Sequence, residues 1–132
     1  MSGDAIHILI VDDDPSTRFL TKYVLEKHNS VTPIVIHEAV DGASGLQYIS
    51  AAHTMPDIVL LDIYMPGMNG VEFLIAYKKL PSHKNQQSAI YILSSETNVF
   101  PEEYRDMVKG LIEKPLTQQK LIETLSERSN KV

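Results

Sequence analysis

Five short apolar segments, four of them followed directly by a polar or charged residue, constrain the fold of this chain more than any other feature. They occupy residues 6–11, 34–39, 58–61, 89–93 and 110–112. Apolar runs of this kind, rich in β-branched residues, are typical of strands buried on both faces of a parallel sheet. Amphipathic stretches separate them, and this alternation indicates βαβ units. We therefore expect an α/β fold in which five helices cover a doubly wound, five-stranded parallel sheet.

Capping residues and apolar spacing mark the helices. Asp14 can cap a helix that begins at Pro15, and Leu20, Tyr23 and Val24 follow at helical spacing. The other predicted helices are a short one after a turn at Asp41-Gly42, residues 71–80, residues 101–108, and one that begins near Thr117.

The last predicted helix carries its own apolar pattern. Leu116 and Leu121 have the spacing of a hydrophobic staple around a helix start. We expect Leu121, Ile122 and Leu125 to form the buried face of this helix.

The residues that end the strands predict where a functional site lies. Asp12 and Asp13 end the first strand, Asp62 the third, Ser94 the fourth and Lys114 the fifth. In open parallel sheets, ligands bind outside the carboxyl ends of the strands. We therefore expect these side chains, which are far apart in sequence, to gather at one edge of the sheet.

Three carboxylates at one edge repel one another and would raise the pKa of one of them. A hard divalent cation removes that conflict, and Mg²⁺ prefers oxygen ligands. Together with an ammonium from Lys114 and a hydroxyl from Ser94, such a cation would suit transfer of a phosphoryl group to an aspartate. The composition of this edge thus predicts Mg²⁺-assisted phosphorylation of one of its aspartates.

The motifs at the strand ends resemble those of response-regulator receiver domains. They are VDDDP at 11–15, EAVDG at 38–42, LLDIYMPGMNG from 60 to 70, ILSS at 92–95 and EKPL at 113–116. The resemblance extends from about residue 6 to residue 125 and is carried by the order of all five motifs. It implies a flavodoxin-like (βα)5 fold with strand order 2-1-3-4-5. It also implies a single receiver domain over residues 1–132, with a core of about residues 6–127.

The resemblance also assigns roles to individual residues. Asp62 matches the phosphoacceptor, and Asp12, Asp13, Asp62 and the backbone carbonyl of Tyr64 match the Mg²⁺ ligands. Ser94 matches the hydroxyl residue that hydrogen-bonds the phosphoryl group.

Two further positions concern activation, the change of conformation that follows phosphorylation in the family and is here called the switch. Lys114 matches the lysine that contacts the phosphoryl group, and its bond to Pro115 is commonly cis in the family. Many receivers have Tyr or Phe three residues before this lysine, and the aromatic ring moves inward on activation. Leu111 stands at that position here. A leucine cannot make the same movement, so the readout of the switch is expected to differ.

Composition limits the partners and the compartment. The 132 residues have a formal charge of −5 and no cysteine, no basic run, and no apolar run long enough for a bilayer. These features argue against direct binding to nucleic acid, against a disulfide framework and against membrane insertion. We expect a cytoplasmic protein. The five histidines show no metal-ligand spacing and are expected to be structural or exposed.

The leading hypothesis is a phosphoacceptor in two-component signalling, not an enzyme acting on external substrates. A histidine kinase or a histidine phosphotransfer protein would donate the phosphoryl group, and a downstream protein would read the result. One alternative is a receiver-fold scaffold that binds partners without phosphorylation. Another is a Mg²⁺-dependent phosphohydrolase, although such enzymes place a second acid where this chain has Tyr64, and no cap insertion is present.

Overall fold

Five parallel strands form the sheet that the apolar segments predict. The computed structural model describes residues 5–28, 31–81 and 88–129. The strands are β1 (Ile6–Val11), β2 (Ile34–Ala39), β3 (Ile58–Leu61), β4 (Ala89–Ser94) and β5 (Gly110–Glu113). They pair in the order β2-β1-β3-β4-β5, all in parallel. The predicted fold class and strand order are confirmed.

Side-chain caps mark the starts of the α-helices. The helices are α1 (Pro15–Lys27), α2 (Gly42–Ala51), α3 (Gly70–Lys78) and α4 (Gln118–Ser129). Asp14 caps α1 as predicted, because its carboxylate accepts a hydrogen bond from the backbone N–H of Ser16. Asp41 caps α2, so Gly42 is the first residue of that helix and not part of a separate turn. Asn69 and Glu72 form a capping box around the start of α3.

The crossover between β4 and β5 differs from the prediction of an α-helix at 101–108. It contains a 3₁₀ turn, Thr97–Val99, and a 3₁₀ helix, Glu102–Met107. Pro101 separates the two. Because a proline disfavours helical geometry in the residue before it, Phe100 is extended and the chain cannot run as one α-helix from 97 to 108.

Two apolar cores lie on opposite faces of the sheet. On one face, inward side chains of the strands pack with Ile49 of α2 and with Phe73 and Leu74 of α3. On the other face, they pack with Leu25 of α1 and Leu121 of α4. The central strands β1, β3 and β4 are buried on both sides, which explains their nearly unbroken apolar sequence.

The buried faces of α1 and α4 are only partly those that apolar spacing suggests. In α1, Leu20 and Tyr23 are exposed, as is Phe19 (68%), and Thr21 is buried instead. In α4 the prediction for Ile122 is wrong, since it is 48% exposed. A buried threonine is tolerated in a helix because its hydroxyl can bond a carbonyl one turn earlier.

In α4, Thr124 is buried. Its Oγ1 donates a hydrogen bond to the carbonyl of Lys120 at 2.9 Å. Leu116 and Leu121 are both buried in the same core, in agreement with the predicted hydrophobic staple.

Two histidines on the neighbouring strands β1 and β2 are paired. His7 Nδ1 and His37 Nε2 are 3.1 Å apart, the ring planes differ by 6°, and the ring centroids are 5.4 Å apart. The centroid separation equals the nitrogen separation plus one ring radius on each side. The rings are therefore in line and share one N–H···N hydrogen bond. Burial, followed by the charge of His7, lowers the pKa of His37.

Candidate functional site

The register of the strands brings the predicted site residues to one edge of the sheet. The backbone N–H of Asp62 donates to the carbonyl of Val11, so the residue after β3 lies beside the end of β1. The N–H of Lys114 donates to the carbonyl of Ser94 at 2.8 Å, which joins the ends of β5 and β4. Asp12, Asp62, Ser94 and Lys114 thus gather as their positions after the strands predicted.

Three carboxylates form an acidic trio at this edge. One oxygen from each of Asp12, Asp13 and Asp62 lies within 4.8 Å of the others. Asp12 and Asp62 are buried, with 2% and 7% exposed, whereas Asp13 is exposed. Asp12 Oδ1 also accepts a hydrogen bond from the backbone N–H of Asp14 at 2.9 Å. The trio is therefore anchored on its buried side and open to solvent on the other.

The ammonium of Lys114 lies between the two buried carboxylates. Its Nζ is 2.9 Å from Asp12 Oδ2 and 3.4 Å from Asp62 Oδ2. The Lys114-Pro115 peptide bond is cis. When all four groups are ionised, the acidic trio and this lysine carry a net charge of −2, from three carboxylates and one ammonium. One cation does not neutralise the site.

Burial and neighbouring charges shift the pKa values of Asp62 and Lys114. Burial raises the pKa of Asp62, Lys114 opposes the rise, and the charge of Asp12 adds to it. Burial by itself would lower the pKa of Lys114, but the hydrogen bond and attraction to Asp12, followed by Asp62, raise it. The sequence predicted that mutual repulsion would raise the pKa of one of the three carboxylates; for Asp62, burial raises the pKa more than the charge of Asp12 does.

The oxygen donors of the acidic trio fit a hard divalent cation. Mg²⁺ binds through one or two carboxylates and retained waters, and the trio supplies such ligands with excess negative charge. The side chain of Tyr64 is 60% exposed, and its residue lies on the loop between β3 and α3, two positions after Asp62. Asp12, Asp13 and Asp62 could hold the cation.

Ser94 and Leu111 mark the other end of the site. Ser94 is 1% exposed at the end of β4, and its Oγ lies 3.5 Å from the backbone N–H of Glu96. Leu111 of β5 is paired with Ile92 of β4. Its half-buried side chain packs on the core that also contacts Tyr104. The position where receivers often carry a mobile ring is therefore occupied by an aliphatic side chain packed on the core.

Gly70 has a structural role that the sequence did not single out. A Cβ at this position would lie 2.7 Å from the carbonyl oxygen of Asp62 and 3.0 Å from Ile63 Cα. The N–H of Gly70 donates to the carbonyl of Ile63 at 2.7 Å. Only glycine allows this close return of α3 onto the backbone of Asp62.

Arg18 supports the acidic trio from α1 and was also not predicted. Its Nη1 donates to the carbonyl of Asp12 at 2.7 Å, and its Nε is 3.2 Å from Glu38 Oε1. Lys22 makes a second ion pair with Glu38 at 3.1 Å. Glu38, the acid of the EAVDG motif, thus orients the guanidinium of Arg18 against the backbone of Asp12. Local sequence spacing does not reveal this link between strands.

Comparison with known proteins agrees with this geometry. The family model for the response regulator receiver domain matches residues 8–126. Protein PilH from Pseudomonas aeruginosa is 31% identical over 126 residues, covering 90% of this chain and 93% of that protein. The cyclic di-GMP phosphodiesterase response regulator RpfG from Xanthomonas campestris is 35% identical over 81 residues, covering 61% of this chain and 20% of RpfG. This chain therefore spans only a small part of some of its relatives.

A solved structure shows the same fold. The response regulator receiver domain (CheY-like) from Methylobacillus flagellatus superimposes with a TM-score of 0.80, with 95% of this chain and 99% of that one covered, at 21% identity. Within the described ranges, no helix is both long and apolar enough to cross a membrane. From its motifs, its strand order and the family match over most of its length, the chain belongs to the response regulator receiver domains of two-component signalling.

Proposed function

We propose that this receiver domain takes a phosphoryl group onto Asp62 with the help of Mg²⁺ and thereby changes its contacts with other proteins. The observation that carries the proposal is the position of the Asp62 carboxylate. It is buried at the end of β3, lies 3.4 Å from the ammonium of Lys114 and belongs to the acidic trio. Such a carboxylate is shielded from bulk water on one side and accompanied by a cation.

The transfer requires Asp62 to be ionised and a donor to approach from the open side. An oxygen of Asp62 forms a bond to phosphorus while the bond from phosphorus to a donor histidine nitrogen breaks, and the electron pair stays on that nitrogen. Asp12, Asp13, Asp62 and the carbonyl of Tyr64 would hold Mg²⁺, which when bound neutralises charge on the phosphoryl oxygens. Lys114 would donate a charge-assisted hydrogen bond to one of those oxygens.

Ser94 would respond to the product. Its hydroxyl lies at the end of β4, and a phosphoryl group on Asp62 would offer it strong acceptors. Movement of Ser94 would pull on the 3₁₀ turn that starts three residues later, at Thr97. With Leu111 packed on the core, the readout would come from this crossover and not from a swinging aromatic ring.

We place the protein in the cytoplasm, as a phosphoacceptor and not as an enzyme with an external substrate. The donor would be a histidine kinase or a histidine phosphotransfer protein, and the target another protein. A formal charge of −5 disfavours direct nucleic-acid contacts. Leu111 lends support to one alternative, a scaffold whose partners bind regardless of phosphorylation.

The test is intact mass after incubation with acetyl phosphate. We expect one added phosphoryl group that requires both Mg²⁺ and Asp62, and none on Asp62→Asn. Asp106→Asn, which alters an exposed acid in the 3₁₀ helix, is the matched control and should be labelled like the wild type. Labelling of Asp62→Asn at the wild-type level would overturn the assignment. No labelling of a folded wild-type protein would favour the scaffold.

A further inference from the structure

Lys120 contacts the backbone on both sides of Lys114. Its ammonium donates hydrogen bonds to the carbonyl of Glu113 at 2.7 Å and to the carbonyl of Pro115 at 3.2 Å. Lys120 is the third residue of α4. One side chain therefore joins the end of β5, the turn that carries Lys114, and the first turn of the following helix.

Lys120 occupies a helix position that favours an acid. Thr117 caps α4, because its Oγ1 accepts a hydrogen bond from the backbone N–H of Lys120 at 3.2 Å. With a threonine cap, the third helical residue is typically Glu or Gln, which bonds back to the cap. A cation in the first turn is also disfavoured by the helix dipole. Stability of α4 does not explain a lysine here, so its charge has a use outside the helix.

The direction of the Lys114 side chain depends on the backbone that Lys120 holds. The N–H of Lys114 is fixed by the carbonyl of Ser94. The carbonyls before and after it are those that Lys120 bonds. Because lysine has a long and flexible stem, its ammonium is placed accurately only if the backbone at its root is fixed. Charge-assisted hydrogen bonds suit that purpose, since they are stronger than neutral ones.

We propose that Lys120 is a positioning residue for Lys114: by bonding the carbonyls of Glu113 and Pro115, it holds the turn that directs the Lys114 ammonium between Asp12 and Asp62. The inference deepens the proposed function of that site and rests on it for any effect on phosphorylation. The geometric part stands apart from phosphorylation, because the contacts of Lys114 with both carboxylates exist without a phosphoryl group.

The first measurement is the mobility of the Lys114 side chain, from ¹³Cε relaxation by NMR in Mg²⁺-free buffer. In the wild type the ammonium of Lys114 is held between Asp12 and Asp62, so the end of this side chain should be rigid. We expect the Lys114 side chain to be more mobile in Lys120→Met than in the wild type, and to regain its rigidity in Lys120→Arg. Lys79→Met, which removes an exposed lysine at the end of α3, is the matched control and should leave the mobility of Lys114 unchanged.

A second background separates positioning from the direct effect of a lost positive charge. In Lys114→Met there is no ammonium to position, so adding Lys120→Met should leave the residual rate of labelling by acetyl phosphate unchanged. A slowing of equal size in both backgrounds would mean that Lys120 acts through its own charge, and would overturn the proposal. A Lys114 side chain as rigid in Lys120→Met as in the wild type would overturn it as well.

Phosphorylation by acetyl phosphate supplies an independent readout. We expect Lys120→Met to be labelled at least about fivefold more slowly than the wild type, since misplacing a catalytic group lowers the rate steeply. A rate within about twofold of the wild type would contradict the inference while leaving the proposed function intact. If the wild type itself is not labelled, the proposed function fails, and the mobility of the Lys114 side chain alone decides the role of Lys120.

Discussion

Replacing Asp62 with Asn should stabilise the protein when Mg²⁺ is absent. In Coulomb's law with an effective dielectric constant of about 20, the Lys114 contact at 3.4 Å favours the ionised carboxylate by about 5 kcal/mol. Repulsion from Asp12, within 4.8 Å, opposes it by at least about 3.5 kcal/mol. The difference of about 1.5 kcal/mol is smaller than the several kcal/mol that burying a carboxylate costs. The ionised carboxylate of Asp62 therefore destabilises the folded protein.

An asparagine of nearly the same shape removes this destabilising charge. Lys114 keeps an ion-pair partner, because Asp12 remains 2.9 Å from the ammonium. We expect the free energy of unfolding at pH 7 to rise by about 1–2 kcal/mol, measured by urea denaturation in EDTA. Mg²⁺ should reverse the order, since a ligand at 100 times its dissociation constant stabilises the wild type by about 2.7 kcal/mol.

The difference in stability between the wild type and Asp62→Asn should also depend on pH. Because the pKa of Asp62 is raised in the folded state above its ordinary value of 3.8, the folded protein binds the proton more tightly than the unfolded chain. The advantage of Asp62→Asn should therefore be present at neutral pH and shrink as the pH falls through the raised pKa. A variant less stable than the wild type in EDTA, or one that gains as much from Mg²⁺, would refute the reasoning.

Three further perturbations test other parts of the molecule. Lys114→Met should lower the free energy of unfolding by about 3–5 kcal/mol at pH 7, because it leaves two buried carboxylates without a cation, and excess Mg²⁺ should recover part of the loss. Gly70→Ala should destabilise by about 1–3 kcal/mol and reduce labelling of Asp62, since its Cβ would meet backbone and not a flexible side chain; equal stability in urea would contradict this. The lowered pKa of His37 means that stability should fall as the pH drops through 6.5, and a His37→Gln variant with the same pH profile would exclude this histidine as the cause.

The strand ends could be predicted from sequence because they follow a topological rule. Asp12, Asp62 and Lys114 need only the rule that parallel strands present their carboxyl ends at one edge, and each directly follows a strand. Apolar spacing was less reliable for helix faces. Ile122 is exposed, although its spacing predicted burial. Thr124 is buried, which is tolerated because its hydroxyl bonds within its own helix.

Residues that act through tertiary contacts were not visible in the sequence. Gly70 is required by the backbone of Asp62, which it meets only after the chain turns into α3. Arg18 of α1 reaches Glu38 of β2, and Lys120 bonds carbonyls and not side chains. None of these contacts has a fixed sequence spacing. The pair formed by His7 and His37 escaped detection for the same reason, because it joins neighbouring strands.

The broken crossover between β4 and β5 affects how the molecule opens locally. Its turns are closed by isolated hydrogen bonds to the third residue back, and the one from the N–H of Val108 to the carbonyl of Arg105 is 3.4 Å long. Such bonds can break without disturbing the sheet, whereas opening α1 interrupts a continuous helical ladder. Amide hydrogens in the crossover should therefore exchange with solvent through sub-global fluctuations. We therefore expect the segment that connects Ser94 to the strand of Lys114 to rearrange at a lower cost in free energy than α1 or the sheet.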